Sequence, residues 1–415
     1  MPPEPASHRE LPALAALARE ELTKAVGGIA TVHASATDTV FAGLRAVGGS
    51  RVRTAQKTHD VIRTSIYTAV ASTVDVAGDL AESLAAFSDT VPSETRRGAE
   101  TLGFLDGLIG DQLTAEGSPL APDISVRVDG AAVPITPDGL ATAFPAASGH
   151  LTVFVHGLMG SEYTWSLGGR PTYGSRLADD LGSTEVLVRY NTGRHISDNG
   201  RDLARLLTEL TLLWPVPVTG LTLIGHSMGG LVIRSACHQA VAEDAFWPEL
   251  VRHTVYLGTP HLGAPLARGV HRASAALRLW RTTRPIATLL GRRSAGVRDL
   301  FRGAVIDEHW RDTDPEAFWQ PAVDYPPLMQ GVRHLYVTAT VTRRPDHPFG
   351  RIVGDGLVMT SSGGGRSRKQ HLGFELDDGF HVGGVGHMAL LNNDAVYEWM
   401  LPQLTPRRAL PPGRG

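Results

Sequence analysis

One cysteine, Cys237, occurs in 415 residues. That excludes an intrachain disulfide and any cysteine-based metal cluster. A lone cysteine in a helix-like stretch reads as a small packed apolar residue. Lysine is scarce too: three of the 39 basic residues, the rest being arginine. The formal net charge is only −3. No field therefore favours nucleic acid or an anionic membrane. No apolar run approaches the length of a membrane-spanning helix. A signal-peptide pattern is missing as well, because Arg19, Glu20 and Glu21 interrupt the only early apolar stretch. The expectation is a cytoplasmic protein, with peripheral contact at a lipid surface left open. Histidine and aspartate do not recur at metal-ligand spacing. No glycine-rich stretch has the spacing of a dinucleotide or phosphate loop. No cofactor or metal is expected.

Two kinds of pattern are present. Up to Leu113 the apolar residues step by three and four: Leu22, Val26, Ile29 and Val32, then Ile62, Ile66, Val70 and Val74, then Leu80, Leu84 and Phe87. That spacing predicts helices packed on each other or on the rest of the chain. A boundary is expected near Pro119. Beyond it, short β-type runs ("DISVRV", "LTVFVHG", "TEVLVRYN", "LTLIGHS", "HTVYLGTP", "HLYVTATV") alternate with helical stretches such as Asp202–Leu213 and Gly230–Val241. Such alternation predicts an α/β fold with a mostly parallel sheet covered on both faces. The expected organisation is a helical region over 1–118, an α/β domain over 119–402 with an insertion at about 266–330, and a disordered tail over 403–415. The stretch "SSGGGRSRKQ" reads as a solvated loop.

The chemistry concentrates in "LTLIGHSMGGLVIRSAC". Gly225-His226-Ser227-Met228-Gly229 is a G-x-S-x-G pentapeptide between a strand and a helix. In that context the turn is sharp, and it presents a serine hydroxyl beside free N–H groups at a helix N-terminus. Ser227 is the candidate nucleophile, and Met228 N–H the first candidate oxyanion donor. The second donor is expected at the end of an earlier strand. "LTVFVHGLMGS" places Leu158 N–H there, with His156 a structural loop residue. The base is expected near the C-terminus, where His381 falls in a strand-like stretch and His387 in the loop before the last helix. His387 is the preferred base. Two acids follow "HLYVTATV": Asp346 and Asp355. Asp355 is preferred, because glycines flank it and Val358 can pin its loop.

"HGLMGS", "GHSMGG", "GTPHLGAP", "GDGLV" and "GVGHM" occur in the order found in the α/β-hydrolase superfamily. The chain most resembles its lipase-like branch, which includes bacterial triacylglycerol lipases and esterases of the GPI inositol-deacylase type. The resemblance spans roughly Asp123 to Leu401. It implies the α/β-hydrolase fold, a Ser227–Asp355–His387 triad, and oxyanion positions at Leu158 and Met228. It gives His261 no catalytic role, and it likens "RRSAGVRDLFRGAVIDEHW" to part of a cap. An insertion carrying Leu277, Leu279, Trp280, Ile286, Leu289 and Leu290 would suit an apolar acyl chain. The expected activity is hydrolysis of a carboxylic ester or lipid. An acyltransferase using the same triad and a non-catalytic scaffold are the alternatives, and the sequence does not set the oligomeric state.

Overall fold

A computed structural model describes Glu10, Ala13 and residues 91–263, 294–312, 323–344, 347, 350, 353–368 and 370–405. The chain divides into two compact units. The smaller comprises 1–95 with 277–290, the larger 96–276 with 291–415. Most of the smaller unit, including the N-terminal apolar stripes, lies outside the described residues. So do Asp346, the apolar residues from Leu277 to Leu290, and the end of the tail.

The larger unit is built on an eight-stranded sheet. Its strands are β1 (Ser125–Val128), β2 (Ala131–Ala132), β3 (His150–Val155), β4 (Thr184–Arg189), β5 (Gly220–His226), β6 (Val251–Leu257), β7 (Arg333–Thr340) and β8 (Gly379–Gly383). The order across the sheet is β2-β1-β4-β3-β5-β6-β7-β8. Strands β3 to β8 pair in parallel, and β1 runs antiparallel to β2 and β4 at one edge. Every residue of β5, at the centre, is buried. This explains its unbroken apolar run: both faces of a central parallel strand are covered.

Alternate side chains feed two cores. On one face Val153, Val155, Leu221 and Leu223 pack with Leu203, Leu207 and Leu210 of a helix over Ile196–Leu213 and with Leu231, Val232 and Cys237 of a helix over Met228–Ala242. On the other face Phe154, Ile224, Val255 and Leu257 pack with Tyr173 and Leu177 of the helix Tyr173–Leu181 and with Val396 and Met400 of the helix Asp394–Leu404. Burial pushes the Cys237 thiol up to about 12, which fits a packed apolar residue rather than a reactive one.

In chain order the described helices of this unit are α1 (Arg96–Ala115), α2 (Pro137–Ala143), α3 (Tyr173–Leu181), α4 (Ile196–Leu213), α5 (Met228–Ala242), α6 (Ala295–Arg302), α7 (Thr360–Gly363) and α8 (Asp394–Leu404). By compactness the two units divide after Thr95, which places α1 in the larger one. That helix buries Ala99, Leu102, Gly103, Gly107, Gly110 and Leu113; helical periodicity alone does not say which neighbour a helix joins. One expectation is corrected. The stretch "SSGGGRSRKQ" is not wholly solvated. Ser362 and the three glycines after it are buried, and the Ser362 hydroxyl donates to Gly263 O at 2.6 Å. Of the expected insertion, α6 is ordinary core structure. Leu300 and Val305 join the first core, and Asp299 accepts from Ile196 N–H at the start of α4.

Candidate active site

Strand β5 stops at His226, and α5 begins at Met228. Ser227 alone makes the turn, with φ 52° and ψ −122°. That backbone conformation costs a residue with a Cβ on the order of 1–3 kcal/mol and persists only where the surroundings hold it. Here the Ser227 N–H donates to Leu257 O at 2.9 Å, and Ser227 O accepts from Gly230 N–H at 3.1 Å. The pentapeptide glycines are close-approach positions. A Cβ on Gly225 would lie 2.5 Å from Gly230 N, and one on Gly229 would lie 2.1 Å from Val155 O. The serine side chain makes no helix-capping bond.

Asp355 and His387 come together although 32 residues separate them: Asp355 Oδ2 accepts from His387 Nδ1 at 2.7 Å. The other carboxylate oxygen, Oδ1, accepts from the N–H groups of Leu357 and Val358 at 3.0 and 2.8 Å. The main chains are joined as well, with His387 N–H donating to Asp355 O at 3.0 Å. Gly354 and Gly356, on either side of the aspartate, take φ values of 61° and 104°, which only glycine adopts without strain. Side-chain oxygen, backbone and flanking glycines thus fix the carboxylate locally.

The serine and the Asp–His pair meet at Gly258. Leu257 O takes the Ser227 N–H, and the next residue would touch Asp355 Oδ2 and His387 Cε1, both at 3.2 Å, if it carried a Cβ. His226 adds a second link. Its Nε2 donates to His387 O at 3.2 Å, and the two rings lie 4.7 Å apart. Burial, with the neighbouring His387, holds the His226 imidazole well below its usual range. It stays neutral, with one nitrogen donating and the other free of a proton.

The family model for the alpha/beta hydrolase family matches residues 152–399. This chain belongs to that family. Among solved structures, the hydrolase is similar to the mature Bacillus licheniformis lipase BlEst2 at 20% identity, covering 61% of this chain and 91% of that one with a TM-score of 0.39. It is similar to a lipase-esterase related protein from Clostridium acetobutylicum at 14% identity, covering 62% and 94% with a TM-score of 0.34. A third likeness is to the phospholipase PlaB from Legionella pneumophila, at 15% identity, covering 61% and 59% with a TM-score of 0.37.

The loop after β3 in this hydrolase lies against the serine. A Cβ on Gly157 would come within 3.1 Å of Ser227 Cβ and of His226 Nδ1. Among the described residues, Met159 N–H donates to Thr192 Oγ1 and Gly160 N–H to Gly157 O, while no bond engages the N–H of Leu158 or Met228. His156 is wholly buried, its Nδ1 donating to Gly157 O at 2.9 Å and its ring stacked on Tyr190. Burial brings it down to about 4, so it is a neutral structural group. His261 is buried between Tyr256 and Phe374, and among the described residues its nitrogens have no hydrogen-bond partner. His381 lies in β8 and bonds to Thr338.

Sequence reasoning missed the polar support behind this loop. Arg189 and Glu162 form a buried ion pair, with Arg189 Nε donating to Glu162 Oε2 at 2.7 Å. Asn191 and Thr192 follow the same strand and are buried. The signal was the polar ending of "TEVLVRYNTG", which a strand covered on both faces does not otherwise need. Asp106 of α1 was missed as well. It is buried, and among the described residues its Oδ1 has no hydrogen-bond partner.

Proposed function

We propose that the chain is a serine hydrolase that cleaves carboxylic esters with an apolar acyl group. One observation carries this reading: an Asp355–His387 pair bonded at 2.7 Å lies beside a serine held at φ 52° between a central strand and a helix. Because Nδ1 of His387 faces the carboxylate, Nε2 is the nitrogen left for the Ser227 hydroxyl. In the proposed reaction His387 Nε2 takes the hydroxyl proton as Ser227 Oγ bonds to the ester carbonyl carbon. The carbonyl oxygen becomes an oxyanion, and the N–H groups of Leu158 and Met228 donate to it. Collapse breaks the bond to the alkoxy oxygen, which leaves as the alcohol with the proton from His387. Water then gives a proton to His387 and its oxygen to the acyl carbon. The carboxylic acid departs, and Ser227 regains its proton. Asp355 keeps the imidazole in the required tautomer and stabilises the imidazolium. No step calls for a metal ion, and among the described residues no group of three metal-ligating side chains comes together.

The test is hydrolysis of p-nitrophenyl esters from acetyl to palmitoyl by the wild type and by Ser227→Ala. Activity that rises with chain length and vanishes in a folded Ser227→Ala protein is the expected result. Activity limited to short chains would replace the apolar acyl substrate with a small ester. A folded wild type inert toward every ester and unlabelled by a fluorophosphonate would refute the reading.

A further inference from the structure

Helix α1 precedes the residues matched by the family model. Its glycine-bearing face lies directly on the turn that carries Leu158. A Cβ on Gly103 would fall 2.5 Å from Gly160 O. One on Gly107 would fall 2.3 Å from Met159 Cγ and 3.4 Å from a Leu158 methyl. One on Gly110 would fall 2.0 Å from Asn191 Oδ1. Glycine in a helix interior costs roughly 1 kcal/mol against alanine. Three spaced along one face are a cost that close approach offsets.

What the helix presses on is itself strained. Met159 has φ 58°, one of four non-glycine residues with a positive value among those described. Its N–H donates to Thr192 Oγ1 at 3.2 Å, and Thr192 is fully buried. The Thr192 segment is in turn tied back to α1. Asn191 Nδ2 donates to Gly110 O at 2.9 Å and to Thr114 Oγ1 at 3.0 Å, while Asn191 Oδ1 accepts from Gly193 N–H. Ser294 Oγ, beside α6, donates to Gly107 O at 2.7 Å and fastens the helix from a further side. The turn is therefore gripped between α1 and the Asn191–Gly193 segment.

We propose that α1 is a positioning element for the oxyanion donor: Gly103, Gly107 and Thr192 hold Met159 in its left-handed conformation and thereby aim Leu158 N–H at the serine. This rests on the ester-hydrolase reading for its kinetic consequence but not for its structural one. A donor displaced by a few tenths of an ångström loses transition-state stabilisation, whereas ground-state binding of the ester is little changed. The decisive variant is Gly107→Ala. It raises helix propensity, so a merely structural site with spare room would be stabilised by it. Here the new methyl meets Met159 Cγ.

The expected result is a kcat for p-nitrophenyl butyrate lowered by about tenfold or more, with KM within about twofold. Adding Met159→Ala removes the clashing atoms and should restore part of that loss, so the double variant is less impaired than the two singles predict. Leu108→Ala, on an exposed position of α1, should match the wild type. Thr192→Val keeps the volume and removes the acceptor for Met159 N–H; it supplies the same kinetic test if Gly107→Ala does not fold. Hydrogen exchange gives a readout independent of turnover. The amides of 157–160 should exchange faster in Gly107→Ala or Thr192→Val while those of β5 stay protected. Wild-type exchange at 157–160 in both variants overturns the proposal, even if the wild type proves inert toward esters. So does wild-type kcat in both. A wild type inert toward every ester and unlabelled by a fluorophosphonate, with the expected change in exchange, would refute the ester reading and leave the positioning role standing.

Discussion

Asp355 and Asp106 are both buried carboxyls, and they differ in how their oxygens are partnered. Asp355 accepts from two backbone N–H groups and from the His387 ring, so both of its oxygens are partnered. Asp355→Asn should keep the fold and lower kcat for ester hydrolysis by roughly a thousandfold or more, since the amide no longer fixes the imidazole tautomer. Steady-state kinetics beside Asp346→Asn checks the choice of acid: a severe Asp346 variant with a mild Asp355 one would reverse it. Among the described residues one Asp106 oxygen has no hydrogen-bond partner, and burial raises the carboxyl well above the usual range, with Arg189 offsetting only part of this. The unfolded chain then releases this proton at lower pH than the folded one does. Stability is lost as pH rises from the ordinary carboxylate value, about 4, through the raised one. Asp106→Asn cannot ionise. Its stability relative to the wild type should therefore increase from pH 4 to pH 8 in urea titrations; a constant difference would show that Asp106 ionises normally.

At the scale of elements, the site is a set of strand ends joined by left-handed turns. Gly258, at φ 58°, ends β6 where a Cβ would meet the Leu390 methyl at 2.9 Å as well as Asp355 and His387. Gly258→Ala combines backbone strain of about 1–2 kcal/mol with pressure on the Asp–His pair. It should lower kcat at least as strongly as Tm, read from kinetics and a thermal melt of one preparation. An alanine variant with wild-type kcat would mean that the pair has room to shift. These turns also explain what could be read in advance. The turns at Ser227 and Asp355 lie in short stretches whose glycines allow the local geometry, so those turns can be expected from a few neighbouring letters. Strands β3 and β5 were legible for the same local reason, their apolar runs marking burial on both faces. The Arg189–Glu162 pair, and the contact of Gly107 with Met159, join residues far apart in sequence. In a helix-like stretch, glycines at 103, 107 and 110 read only as weak helix formers until the opposing turn is known.

At the scale of the whole molecule, the helix that reads as part of an N-terminal region belongs to the hydrolase unit. Residues 96–115 bury Leu102 and Leu113 fully enough to leave them 6% and 4% exposed, and α1 supplies the wall behind Met159 and the partners of Asn191. A chain beginning at Pro119 exposes that wall. Two large apolar side chains lose their burial, each a matter of roughly 1.5–3 kcal/mol, and Met159 loses the surface that holds its strained backbone. A chain beginning at Val91 keeps α1 and the 3-10 turn Pro92–Glu94 before it. Comparing the two by thermal melting and ester turnover separates the two placements of the boundary. The longer chain should melt several degrees higher and carry most of the activity. Equal melting temperatures with equal turnover would move α1 out of the hydrolase unit and restore the boundary near Pro119. If the two chains melt alike and only the shorter one loses turnover, α1 would act on the oxyanion turn without supporting the fold, because the Met159 contact would then outweigh the buried leucines.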